Sequence, residues 1–240
     1  MITLDTDASS RVRVRSVDAT TARDALDGGV DLLITDDPAI VSYATHNDDL
    51  LKLPLPWDRT YVILVSESAA SDVSASLRLT LAASLADAVR ADTRATEPPF
   101  WWESTGSCTA SVGTRPAASA RQSSRVVYLS GDRVAQGIAE RLVAIAGKGA
   151  TAAALSPSAF DAALRAGSDF AYVLPLPRFA AAPCQEFAML LRAAPWLKSV
   201  IPLIDTRSTA IVRRNRVGLA VDADGSLRLL DDASRNNGKL

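Results

Sequence analysis

The chain has 240 residues, 48% apolar and 22% charged, and its 26 basic and 27 acidic side chains leave a net charge of −1. That length carries one large domain or two lobes with a core each, and the charge balance excludes the basic footprint of a nucleic-acid or anionic-membrane binder. No apolar run approaches the roughly 20 residues that span a bilayer, and residues 1–7, acidic and polar, lack the basic and apolar regions of a secretory signal.

In chain order, residues 11–15 alternate arginine and valine, the period of a half-buried strand. Residues 20–26 follow as a short helix with a threonine cap, stopped by Gly28 and Gly29. Residues 30–35 form a short β-branched and leucine run that fits a buried parallel strand. Asp37 then caps a helix whose first residue is Pro38, where a missing N–H costs nothing. Strand alternating with helix argues for an α/β layer structure.

Two prolines, Pro54 and Pro56, stiffen residues 53–57 into an extended crossing ahead of the apolar strand 59–66. Residues 72–90 carry Val73, Leu77, Leu81, Leu85 and Val89 on one helical face. From residue 91 to 124 the pattern dissolves around Pro98, Pro99, Gly106, Gly113 and Pro116. The spacing predicts a loop there, mobile near 103–124 and holding Phe100, Trp101 and Trp102. These aromatics form either a buried plug or a contact patch for a partner.

Order resumes with strand 125–129, and Asp132 lies in the cap of a helix over 133–146. A short strand follows over 150–155. A serine-capped helix comes next and ends at Gly167, with a buried strand from residue 169. Residues 174–178 (LPLPR) echo residues 53–57 (LPLPW), which suggests a second crossing. Residues 183–194 read as a helix and residues 200–212 as extended. The turn residues 222–225 join two strands of a C-terminal hairpin.

No catalytic constellation emerges. The single histidine, His46, sits in a polar helix exit, and no Gly-x-Ser-x-Gly elbow exists. Gly28 and Gly29 precede a strand instead of linking a strand to a helix, so they form no phosphate loop. Adjacent carboxylates such as Asp36 and Asp37 or Asp48 and Asp49 read as caps and solvated turns. Cys108 and Cys184 lack metal-ligand spacing, so no metal or cofactor is implied. They are either two unrelated buried thiols or one disulfide, which needs an oxidising compartment.

The best binding candidates lie beside the crossings: Trp57, Arg59, Tyr61 and Arg178. Arginine grips a carboxylate through parallel hydrogen bonds, and tryptophan stacks on rings. In the competing reading Trp57 and Tyr61 pack and Arg59 pairs with Asp58 or Asp36.

The order of elements resembles the second half of the solute-binding proteins of ABC importers, in the peptide- and nickel-binding family 5. The residues that carry the likeness are Gly29–Ile34 and Asp37-Pro38, then Thr60–Leu64 and the helix over 77–85. Later come the strand 126–129, Asp132, residues 137–142 (GIAERL), residues 164–169 (LRAGSD) and Ile201-Pro202-Leu203. The family's tryptophan and aspartate near the second crossing are replaced here by residues 174–177 (LPLP).

The resemblance implies a two-lobed, periplasmic-binding-protein-like (type 2) α/β fold, truncated at the N-terminus and ending in a β-hairpin. Lobe A would comprise residues 1–62 and 170–240, and lobe B residues 63–169. It implies a periplasmic, non-enzymatic receptor that closes by a hinge on a small solute such as a peptide and works with an ABC permease. An exported protein of this class is also the setting for a Cys108–Cys184 disulfide. The alternative is a non-catalytic extracytoplasmic accessory subunit of a larger membrane complex, with a further chain supplying the missing N-terminal half.

Overall fold

A computed structural model of the chain describes residues 2–6, 12–18, 20–65, 93–96, 123–146, 149–178, 190, 192–194, 196–197, 199–214, 219–221 and 226–229. Within them the elements run β1 (Ile2–Thr6), β2 (Val12–Ser16), α1 (Ala22–Asp27), β3 (Leu32–Thr35), α2 (Pro38–Thr45), β4 (Leu50–Pro54), β5 (Arg59–Val65) and β6 (Thr93–Ala95). They continue with β7 (Ser123–Leu129), α3 (Arg133–Ala146), β8 (Thr151–Leu155), α4 (Pro157–Ala166) and β9 (Asp169–Pro177). Last come β10 (Ser199–Thr206), β11 (Thr209–Arg213), β12 (Leu219–Val221) and β13 (Leu227–Leu229). The expected helix over 72–90, the aromatics Phe100, Trp101 and Trp102, both cysteines, most of the 183–194 helix and nearly all of the 103–124 loop lie outside the described residues.

Contacts divide the chain into two compact units, one of Met1–Trp57 with Arg207–Leu240 and one of Asp58–Thr206. The second unit is larger than the 63–169 lobe expected. β5 and β9 pair antiparallel from Arg59↔Pro177 to Val65↔Ala171, so residues 59–62 and 170–177 belong to its sheet. This corrects the reading of residues 174–178 as a crossing, because prolines signal stiff extended chain without saying where it leads. Pro175 and Pro177 sit beyond Val173, the last β9 residue that pairs with β7, where a strand with one partner tolerates a missing N–H. Pro202 lies at the irregularity in the β10–β5 ladder, another place where proline is accepted.

In the first unit a five-stranded sheet has the order β2-β1-β3-β11-β4, every neighbouring pair antiparallel. The parallel direction expected for residues 30–35 is thereby corrected. An apolar run reports burial on both faces, and β3 has that. Leu33 packs with Leu26, Ile40, Ala44 and Ile211 on one side, and Leu32 with Ala210 and Val212 on the other. Strand direction is a separate matter, set here by β1 and β11. β1 escaped the sequence reading, although Ile2 and Leu4 alternate with Thr3 and Asp5.

The helix starts follow local chemistry. Asp37 accepts from the Ala39 N–H at 2.8 Å, with Pro38 in the first turn, as expected. At α1 the N-cap residue is a threonine, Thr21, as expected, but it makes no side-chain cap bond, and Asp18 organises the chain just before the helix. The Asp18 carboxylate accepts from the backbone N–H of Thr20 (3.0 Å) and Thr21 (2.9 Å) and from both hydroxyls. These bonds, the Thr20 hydroxyl's foremost, hold the Asp18 carboxyl below its usual pKa. His46 is exposed at the end of α2, with Nδ1 2.9 Å from the Ser42 carbonyl.

The second unit holds a six-stranded sheet of order β6-β10-β5-β9-β7-β8, in which only the β9–β7 and β7–β8 pairs are parallel. β5 is buried from Thr60 to Val65, because both faces of this sheet are covered. Tyr61, Ile63 and Val65 pack against Ala135, Ile138, Ala139 and Leu142 of α3. Val62 and Leu64 meet Phe160 and Leu164 of α4, with Leu190, Trp196 and Leu197. Each fully buried side chain of this size contributes roughly 1.5–3 kcal/mol. The C-terminal hairpin forms as expected, with Leu219↔Leu229 to Val221↔Leu227 in antiparallel register.

Candidate functional site

One end of the second unit's sheet carries a cluster of polar side chains. Register places Leu176, Thr60, Asp205 and Arg94 side by side across β9, β5, β10 and β6. Asp205 is the centre: only 3% of its side chain is exposed. A buried carboxylate is costly without partners, and this one has several. Its Oδ1 accepts from the hydroxyls of Thr60 (2.7 Å) and Thr96 (3.1 Å), and Arg178 Nη1 stands 2.5 Å away. Its Oδ2 accepts from Arg94 Nε at 3.0 Å.

Arg178 is the next residue after β9. Its backbone N–H donates to the Asp58 carbonyl at 2.7 Å, and the Asp58 N–H donates to the Thr206 carbonyl at 3.2 Å. The strand ends at 58, 178 and 206 are therefore tied by main-chain bonds. The Arg178 side chain is 22% exposed, and its Nη1 also donates to Thr60 Oγ1 at 3.4 Å.

The four candidates fall in different places. Arg59 is the register partner of Pro177, the residue that precedes Arg178. The Arg59 Nε lies 3.9 Å from Asp58 Oδ2, the pairing expected in the packing alternative. Tyr61 is 2% exposed, and its hydroxyl donates to the Asp132 carboxylate at 3.0 Å, while Asp132 caps α3 through the Ala135 N–H. Tyr61 thus faces the α3 side, away from Thr60 on the same strand. Trp57 belongs to the first unit, where the Arg207 guanidinium lies 4.6 Å from its ring centroid.

Sequence reasoning missed Thr60, Arg94, Thr96 and Asp205. The available signal was a lone aspartate inside the apolar stretch 200–212, where a charge needs partners from elsewhere in the chain.

A second buried carboxylate, Asp169, opens β9. Arg125 grips it through Nε (2.8 Å) and Nη2 (3.2 Å), which raises the Arg125 pKa. The Asp169 N–H donates to the Tyr172 hydroxyl, which donates to the Ala163 carbonyl at 2.8 Å. Burial pushes the Tyr172 pKa up to about 12. The Tyr172 ring packs 5.0 Å from Trp196, whose indole N–H donates to the Leu164 carbonyl. Trp196 also closes over Gly167, where an added Cβ would lie 2.4 Å from the ring and where φ is +63°.

The Asp205 cluster offers hydrogen-bond donors and positive charge, with two guanidinium groups around one carboxylate. Among the described residues no group of three or more metal-ligating side chains assembles.

No family model matches the chain, and no curated protein matches it by sequence. Solved structures do. The fold is similar to that of NikA from Brucella suis in complex with Fe(III)-EDTA, at 12% identity and a TM-score of 0.56 over 92% of this chain and 62% of that one. It is similar to the periplasmic EDTA-binding protein EppA, at 14% identity and a TM-score of 0.55 over 89% of this chain and 55% of that one. It is also similar to the periplasmic binding protein DppA from Helicobacter pylori in complex with the peptide STSA, at 10% identity and a TM-score of 0.52 over 91% of this chain and 57% of that one. The chain therefore has the type 2 periplasmic-binding-protein-like α/β fold. It spans 55–62% of these structures' length, which fits the resemblance to half of such a protein.

Proposed function

We propose, taking the fold of the solute-binding proteins as the premise, that this chain is a receptor-like domain that captures a small solute and makes or breaks no bond. The observation that carries this reading is the extent of the likeness: proteins that hold a metal–EDTA complex or a peptide each cover about nine tenths of this chain. The finer reading is a periplasmic, ABC-importer receptor that closes by a hinge on its solute and delivers it to a permease. Arg178 and Arg59 are its candidate ligand-binding residues in the second unit and Trp57 its candidate in the first. Tyr61 is better suited to packing, because its hydroxyl is engaged by Asp132.

The test is the thermal melt of the purified chain against peptides, amino acids, carboxylates and chelated metals. A ligand that binds only the folded form at a hundredfold excess over its Kd adds about 2.7 kcal/mol of stability. The expected result is a saturable rise in Tm with one solute class. A stable fold with no shift across the panel would replace this reading with the accessory-subunit alternative.

A further inference from the structure

We infer that Arg178 is the anchor for a carboxylate group of the solute, and that Asp205 is the positioning residue that aims it. The inference rests on the receptor reading above and adds the chemical class of the ligand. An arginine carries two kinds of donor edge. The side-on edge, Nε with Nη2, and the end-on edge, Nη1 with Nη2, each match both oxygens of a carboxylate. In Arg178 the protein takes Nη1 alone: Asp205 and Thr60 are the acceptors there. Among the described residues Nε and Nη2 have no acceptor, and the side chain keeps 22% of its surface exposed.

The rest of the cluster fixes the direction of that edge. Asp205 cannot swing, because Thr60, Thr96 and Arg94 hold its two oxygens from β5, the β6 end and β6. The Arg178 backbone is tied to Asp58, and β9 is paired with β5 up to Pro177. The side chain is thus pinned at its root and at one nitrogen. An arginine ordered in advance loses less entropy on binding than a free one. The contrast with Arg125 is instructive: there the protein's own Asp169 already fills the Nε/Nη2 edge.

The experiment is calorimetry of the full chain with matched pairs that differ only in charge: succinate against succinamide, and tetra-alanine against its C-terminal amide. The wild type is expected to bind at least one acid and to prefer it to its amide. Arg178→Gln should abolish that preference. Arg178→Lys keeps a cation beside Asp205 but loses the fork, and should weaken the acid by about tenfold or more. Asp205→Asn keeps the Arg178 guanidinium but no longer aims it, and should weaken the acid. The melting curve of each variant, measured alongside, identifies any that fail to fold, and Arg178→Lys retains the pairing that folding needs. Equal binding of acid and amide, or a preference that survives in Arg178→Gln, overturns the inference and leaves the receptor reading standing. Absence of binding by every member of both pairs and of any shift in the solute panel overturns both.

Discussion

Two buried aspartates mark the two ends of the same region of sheet, and they are finished in different ways. Asp169, at the start of β9, meets one arginine edge to edge. Tyr172 and Trp196 then seal the neighbourhood with bonds to Ala163 and Leu164. Asp205, beside the end of β9, meets two arginines through single nitrogens and two threonine hydroxyls. The first arrangement satisfies its own donors and closes. The second satisfies the carboxylate while the protein engages Arg178 through Nη1 only. Burial alone does not separate a structural ion pair from a binding centre; the separation lies in which donors are left when the acid is satisfied.

The largest expected effect comes from removing the hub. Asp205→Ala removes the acceptor of the Thr60 and Thr96 hydroxyls and the partner of two guanidinium groups. It should cost about 3 kcal/mol, less than a fully buried pair because both arginines reach solvent. Urea denaturation measures this, and a loss below about 1 kcal/mol would break the view of Asp205 as the organiser of this end.

Gly167→Ala probes the sealed end. It forces a Cβ into the Trp196 ring at a left-handed backbone position, and a loss of about 2–3 kcal/mol is expected in the same assay. Asp169→Asn should cost about 2 kcal/mol, since a neutral amide answers Arg125 poorly and Arg125 is 43% exposed. The comparison is sharpened if Asp169→Asn, unlike Asp205→Asn, leaves every solute affinity unchanged.

Tyr172→Phe removes one buried hydroxyl and should cost about 1 kcal/mol. The same residue sets an alkaline dependence. Its folded pKa, about 12, lies above the ordinary 10.0, so its contribution is complete below pH 10 and is lost as pH rises from 10 through 12. Absorbance at 295 nm during alkaline titration reads the shift directly. The smallest effect belongs to Asp18, whose lowered pKa makes its contribution present above pH 3.8 and lost as pH falls below it. The chemical shift of the Asp18 carboxyl carbon followed through an acid titration checks that sign.

Where a signal is local, the sequence alone determined the outcome. Asp37 with Pro38 started α2, Gly167 in the left-handed region ended α4, and the apolar run 60–65 became a strand buried on both faces. The two C-terminal strands, β12 and β13, likewise paired antiparallel. In each case the few residues involved restrict their own backbone or carry an apolar pattern that only one element can bury.

What the tertiary structure decided is everything that depends on a distant partner. The direction of β3 was set by β1 and β11, which the pattern of residues 30–35 cannot name. Ahead of α1 the Asp18 carboxylate, not a threonine hydroxyl, gathers the N–H groups of Thr20 and Thr21. Of the site, Arg178 and Arg59 were legible as charges beside prolines, but Asp205 reads in sequence as one acid in an apolar stretch. Its meaning comes from Thr60, Arg94, Thr96 and Arg178, drawn from separate strands and their ends, because hydrogen bonds are made in space and strand pairing alone brings those donors to one carboxylate.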